Sequence, residues 1–352
     1  MDNGGDFLKV FLTGATGFIG KPLTRQLLQR GWQVTALVRN PEGPQSRVIA
    51  AMGAKLVKGD VTDKESMRAG MTGTDIAINN AGVYEFGVAG EAVKRMFDIN
   101  VKGVENFLSL AKELGVPRLV QVSSVVHWGD TGKMVRDETW TRQAPIHSAY
   151  EQSKHEAHIL GLQYQKEGVP LILACPGQAH GVNDHSAFGY FLRLYLNGLN
   201  PGFAWAPDAF VSGISVDDLA EGIVLSAEKG KLGETYILAG EPHTRREILK
   251  IWATKPGRIR PLFWIPLWLT QLMFATLEPL QRLAGLPAFI SRETARAGAI
   301  DYNFSSQKAQ RDLGWSFRPF KLMWDEVSDA EIELRKKRKK RDLVSMLKPL
   351  DE

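Results

Sequence analysis

Apolar positions in the first half of the chain switch repeatedly between two periods. Short continuous runs at Phe7–Thr13, Gln33–Val38, Lys55–Val57, Asp75–Asn79, Arg118–Val122 and Leu171–Cys175 read as strands. Between them, apolar residues recur three or four apart at Lys21–Arg30, Glu91–Leu114 and Ala149–Glu167, which predicts helices. In the longest, Val93, Phe97, Val101, Val104 and Leu108 fall on one face. Gly31 stops the first helix, and Arg39-Asn40-Pro41 ends the second strand. Strands alternating with helices over short connections predict an α/β fold: a doubly wound, parallel, Rossmann-type sheet with helices on both faces.

The alternation breaks after Pro176. Residues 177–213 are rich in glycine, aromatics and histidine, and residues 259–290 are apolar and rich in tryptophan. Val216–Ala227 and Glu326–Leu334 read as helices, and Thr235–Ala239 as a strand that joins the first sheet. The expected organisation is a dinucleotide-binding unit over 1–176, a smaller interleaved substrate-binding part over 177–330, and a basic tail over 331–352.

Charge changes this picture only at the end. Residues 335–352 hold eight Lys and Arg against three Asp and Glu, which accounts for the whole formal charge of +5. The body is near neutral, so the charge points to no nucleic-acid partner. The single cysteine, Cys175, sits in an apolar run, which excludes a disulfide framework and reads as a small buried hydrophobe. Met1–Asp6 shows no secretory pattern. The stretch between Arg260 and Glu278 is interrupted by Pro261, Pro266 and Gln271, too short and broken for a spanning helix. A cytoplasmic protein is expected.

Thr13-Gly14-Ala15-Thr16-Gly17-Phe18-Ile19-Gly20 follows the first strand and opens the first helix. Gly14 permits the tight turn, Gly17 lets a pyrophosphate approach the backbone, and Gly20 allows close packing of helix on strand. The helix N-terminus offers free N–H groups to phosphates. The second strand ends in Arg39 and Asn40, with no acid for a ribose hydroxyl. Arg39 suits a 2′-phosphate, so NADP(H) is expected over NAD(H); the alternative is a solvated surface arginine. Asp60 and Val61 follow the third strand, where Asp60 reads either as an adenine contact or as a turn residue. Asn80, Ala81 and Gly82 follow the fourth, at the carboxyl edge where such sheets bind ligands.

Tyr150 and Lys154 lie four apart on a predicted helix and share its face. A neighbouring cation lowers a phenol pKa, so the pair could exchange a proton with a substrate hydroxyl. Ser124 ends the fifth strand. A Tyr-x-x-x-Lys pair alone also fits a plain amphipathic helix.

Taken in order, these segments resemble the extended short-chain dehydrogenases/reductases of the NAD-dependent epimerase/dehydratase superfamily. Thr13–Gly20 matches their glycine loop; Ser124, Tyr150 and Lys154 match their catalytic residues; Pro176-Gly177 matches a Pro-Gly whose loop touches the nicotinamide. Ile214–Ala220 and Asn100–Gly103 match two further segments. The resemblance implies Tyr150 as proton donor or acceptor, Lys154 as ribose ligand that depresses the phenol pKa, and Ser124 as polariser of the carbonyl. It also implies a homodimer through the helices at 91–114 and 149–167. Cys175, where the family often has Arg, departs from the pattern.

Val125-Val126-His127-Trp128 after Ser124 lacks the acidic pair of the family's dehydratases. The apolar 261–283 segment and Arg311–Trp315 resemble 3β-hydroxysteroid dehydrogenase-like and dihydroflavonol reductase-like members. A hydrophobic substrate such as a sterol, terpenoid or polyphenol is implied. Tyr84, His127, Trp128, His147 and Phe188 are candidate substrate contacts by position, and no histidine has metal-ligand spacing. The 261–283 segment could be a lid, a core or dimer stripe, or, with the basic tail, a peripheral membrane contact at the cytoplasmic face. Two other functions stay open: a nucleotide-sugar epimerase, and a non-catalytic NADP-binding regulator or accessory subunit.

Overall fold

The apolar runs become the strands of a seven-stranded sheet in a computed structural model that describes residues 7–199, 202–283, 289–337 and 347. The strands in chain order are β1 (Lys9–Thr13), β2 (Gln33–Val38), β3 (Lys55–Lys58), β4 (Ile76–Asn79), β5 (Arg118–Val122), β6 (Leu171–Pro176), β7 (Gln178–His180), β8 (Phe203–Trp205), β9 (Phe210–Ser215), β10 (Thr235–Leu238), β11 (Pro242–Thr244) and β12 (Phe263–Ile265). The main sheet runs β10-β6-β5-β4-β1-β2-β3, and every neighbouring pair is parallel. The strands are continuous apolar runs because both faces are covered. Side chains still alternate: Val10 and Leu12 pack with Leu23, Leu27 and Ile223, whereas Phe11 packs with Met67, Phe107 and Leu108. The strand order turns back between β1 and β4, which opens a crevice beyond their carboxyl ends.

Two elements differ from the sequence expectation. The helix expected over Glu91–Leu114 is broken into Glu91–Phe97, a π-helical turn Asp98–Lys102, and Gly103–Glu113. The wider turn buries Asn100, whose side chain reaches the backbone of Val83 and the hydroxyl of Ser153. The last helix starts earlier than expected, at Phe320, and extends to Lys337. Its inner face packs Met323, Trp324 and Val327 against Phe188, Tyr195 and Trp252.

Residues after β6 build smaller sheets, β11-β9-β7 and β12-β8, beside the carboxyl edge, while β10 returns to the main sheet. The helix Leu267–Leu283 buries Phe274 against Trp205 and Phe191. Its outward row stays open to solvent, with Trp268 at 66% and Leu280 at 62% of full exposure. No helix among the described residues is long and apolar enough to cross a membrane. The basic run enters the last helix at Arg335–Lys337, and its continuation lies outside the described residues.

Candidate active site

One cavity of about 620 Å³ opens at the carboxyl edge of the sheet, and three groups of side chains build it. The glycine loop forms one end. Gly14 turns the chain at φ +68°, and a Cβ there would stand 2.6 Å from the Asn80 carbonyl oxygen. At Gly20 it would stand 1.9 Å from the Gly14 oxygen, so the helix rests directly on the loop. Gly14, Thr16, Gly17, Phe18 and Ile19 face the cavity. Thr13 and Gly20 do not; both are buried and work behind the wall. Thr13 Oγ1 donates to Asn79 Oδ1 at 2.5 Å and accepts from the N–H groups of Asn80 and Ala81, stitching β1 to β4. No side chain caps the helix Gly20–Gln29; Lys21 N donates to the Gly17 carbonyl and Leu23 N to that of Ile19, so the loop itself closes the first turn beside the cavity.

Arg39, one residue past β2, lies exposed on the cavity wall and makes no ion pair among the described residues. Asp60 and Val61 share that wall. One Asp60 oxygen accepts from Thr62 N at 2.9 Å and Thr62 Oγ1 at 2.8 Å, so Asp60 holds its own turn as well as facing the cavity. Asn80, Ala81 and Gly82 continue the wall, as do Pro176 at the end of β6 and Gly177 just beyond it.

Ser124, Tyr150 and Lys154 meet in the middle. Ser124 starts a 3₁₀ turn and accepts from Val126 N at 3.2 Å. Tyr150 and Lys154 lie one turn apart on the helix Ala149–Lys166, whose cap is Ser148. Burial raises the Tyr150 phenol above its ordinary value, and its hydrogen bond with Ser124 lowers it in part. The depression expected from Lys154 does not appear here: burial sets the direction, and Ser124 is the group that opposes it. Burial also pushes the Lys154 ammonium down to about 8. Lys154 Nζ lies against Gly82, where a Cβ would stand 3.3 Å from it. A buried pair behind the helix steadies this region. Arg142 meets Glu151 at 2.6 Å and reaches the carbonyls of Val126 and His127, while Glu151 accepts from His147 N.

The far half is aromatic. Tyr84 and Phe86 pack on Tyr150 with ring centroids 4.9 Å and 5.4 Å away. Phe188, Phe191, Trp205 and Tyr302 line the remainder. Three expected substrate contacts lie elsewhere. His127 and Trp128 are buried because the 3₁₀ turn after Ser124 drives them inward, where His127 stacks on His158 at 3.5 Å. Burial lowers both imidazoles, His158 to about 3, so both are neutral packing groups. His147 sits beside a separate small recess and touches Arg296. The 261–283 segment contributes no lining residue and acts one layer back, through Phe274.

Sequence reasoning passed over Phe86, Phe191, Trp205 and Arg245. Phe191 and Trp205 sit in a stretch noted only as aromatic, Phe86 follows the candidate Tyr84 in a loop with no motif, and Arg245 hides in an ordinary helix start, Thr244-Arg245-Arg246-Glu247, where Thr244 and Glu247 form a capping box.

The family model for the NAD dependent epimerase/dehydratase family matches residues 10–239. The chain belongs to that family. This family member is 30% identical over 319 residues to a putative dihydroflavonol 4-reductase of Synechocystis, covering 86% of this chain and 89% of that one. It is 27% identical over 325 residues to a Stigmatella aurantiaca 4-hydroxy-2-methyl-3-oxo-4-farnesyl-3,4-dihydroquinoline-1-oxide ketoreductase, covering 88% and 92%. A 3 beta-hydroxysteroid dehydrogenase/Delta 5-->4-isomerase of Mycobacterium tuberculosis is 27% identical over 322 residues, covering 87% and 85%. The crystal structure of gox2253 superposes with a TM-score of 0.78 at 28% identity, covering 96% of this chain and all of that one.

A nicotinamide dinucleotide is the family's cofactor, and the residues present fit one. The uncapped helix and glycine loop suit its pyrophosphate, Asp60 and Val61 its adenosine, and Lys154 with Pro176-Gly177 its nicotinamide half.

Proposed function

We propose that this enzyme uses NADP(H) to reduce a ketone or aldehyde of an apolar small molecule, or to oxidise the corresponding alcohol. One observation carries the reading: a single cavity runs from the glycine loop, past Ser124, Tyr150 and Lys154, to an aromatic wall. The names of the relatives, a reductase, a ketoreductase and a hydroxysteroid dehydrogenase, support it.

The cofactor, when bound, supplies or takes up the hydride. The rest falls to the chain. The Tyr150 hydroxyl holds the substrate oxygen and gives or takes its proton, and the Ser124 hydroxyl donates a second hydrogen bond to that oxygen. A phenol held above its ordinary pKa is protonated at neutral pH, the state from which reduction starts. Tyr84 and Phe86 keep water from the reacting atoms. Asn100 pins Val83, and so the loop that carries Tyr84.

Arg39 decides the cofactor. Titration followed by tryptophan fluorescence is expected to give tighter binding of NADPH than of NADH. In Arg39→Ala the NADPH affinity should fall by roughly 10- to 100-fold, with NADH little changed, as for loss of a charge-assisted bond to a phosphate. Equal binding of the two cofactors by the unmodified protein would remove the NADP(H) assignment.

Lys154 sets a pH dependence. Its ammonium titrates at about 8 in the free protein, and a ribose hydroxyl accepting from it raises that value in the complex. A pKa raised on binding makes the contribution complete below the free value and lost above it. NADPH affinity should be flat below about pH 8 and then weaken by up to about tenfold per pH unit. Lys154→Met should bind more weakly and show no break there. An unmodified protein whose affinity is level through pH 9 would contradict this role.

A further inference from the structure

Arg245 is a half-buried cation with no anion beside it among the described residues. It opens the helix Arg245–Trp252 and lines the cavity at its aromatic end. Its guanidinium stacks 4.9 Å from the Trp205 ring centroid and 5.4 Å from that of Phe188. Nη2 donates to the Gly298 carbonyl at 2.6 Å, and Nε is buried with no hydrogen-bond partner. No carboxylate lies within ion-pair distance among the described residues. Two arginines with little exposed side chain contrast with it: Arg142 faces Glu151 at 2.6 Å, and Arg193 faces Glu331 at 3.5 Å. Even the neighbour Arg246 has Asp208 at 3.3 Å.

The surroundings reserve room for this charge. A Cβ at Gly298 would stand 2.8 Å from Nη2 and 3.1 Å from Trp205, so a side chain there would push the guanidinium from its present place. Burial with no compensating anion lowers the Arg245 pKa to about 10, which marks a charge that the protein leaves uncompensated. Stacking and one carbonyl do not replace the water that a guanidinium gives up on burial. A ligand anion would.

We infer that Arg245 is a specificity residue that binds a carboxylate on an otherwise apolar carbonyl substrate, at the end of the cavity remote from the glycine loop. A single charge fits better than a diphosphate. Asp184 also lines this half, its oxygens accepting from the Ser186 backbone and hydroxyl, and a second negative group would meet it. The aromatic rings between Tyr150 and Arg245 suit an apolar spacer. The inference rests on the reading of the cavity as a carbonyl-reducing site and narrows its substrate class.

The test uses the full chain with saturating NADP⁺, so that a ketone binds without turnover. Calorimetry compares ω-oxo-ω-phenylalkanoic acids of increasing chain length with their methyl esters. At the best length the acid should bind at least about tenfold more tightly than its ester, as for a charge-assisted pair. Arg245→Met should lose that difference and keep its NADP⁺ affinity, which also reports that it is folded. Arg245→Lys should keep part of the difference. Acid and ester binding equally to the unmodified protein, binding of neither, or a preference that survives in Arg245→Met would each overturn the assignment. Turnover is scored separately with NADPH. An acid that binds through Arg245 but is never reduced refutes the reductase reading alone; an ester reduced as well as its acid refutes Arg245 alone.

Discussion

Tyr150→Phe is expected to lower carbonyl reduction by about 10²- to 10⁴-fold while leaving NADPH affinity within a factor of about two. The variant removes one oxygen from a side chain whose ring is otherwise fixed by Tyr84 and Phe86. Phenylalanine keeps those contacts, so the loss would measure proton transfer and hydrogen bonding rather than packing. The effect should fall on kcat and kcat/KM alike, because the proton is shared most strongly as the carbonyl is reduced. Stopped-flow oxidation of NADPH with an excess of ketone checks this. A variant that keeps full turnover would remove Tyr150 from the chemistry.

Arg142→Met is expected to destabilise the fold by about 3–5 kcal/mol. The pair Arg142–Glu151 is nearly inaccessible on both sides, with 9% and 4% of side-chain surface exposed. Removing the cation strands a buried carboxylate, which costs more than an exposed ion pair contributes. Arg142 also ties together the carbonyls of Val126, His127, Ala144 and Pro145. Those bonds hold the turn after Ser124 against the helix that carries Tyr150. Urea unfolding should therefore show a lower midpoint, and turnover should drop even where the variant is folded. The double variant Arg142→Met/Glu151→Gln should recover part of the stability, since no lone charge remains. A single variant as stable as the parent would show that water already reaches the pair.

The sheet could be read from the chain because strands buried on both faces leave continuous apolar runs between polar turns. β1, β2, β5 and β6 stand out in this way. The π-helical turn at Asp98–Lys102 could not be read: apolar spacings of four, from Val93 to Phe97 to Val101, suit an α-helical turn and a wider one alike. The spacing of Tyr150 and Lys154 placed them on one helix face, but the direction of the phenol shift depends on desolvation, which spacing does not encode. His127 and Trp128 looked like pocket residues because they follow Ser124, and a 3₁₀ turn sends them the other way. Arg245 was invisible for a different reason. Trp205, Phe188 and Gly298 come from three separate segments, and only the fold brings them around it.

The placement of β10 has a consequence for synthesis. It covers the flank of β6, yet it lies more than fifty residues later in the chain, and every residue of β6 is buried. A ribosome adding about 5–20 residues per second therefore leaves an apolar, unpaired strand edge uncovered for seconds on each nascent chain. Truncations ending between Pro176 and Thr235 should collect in inclusion bodies, and slow translation through this interval should raise the demand for chaperones.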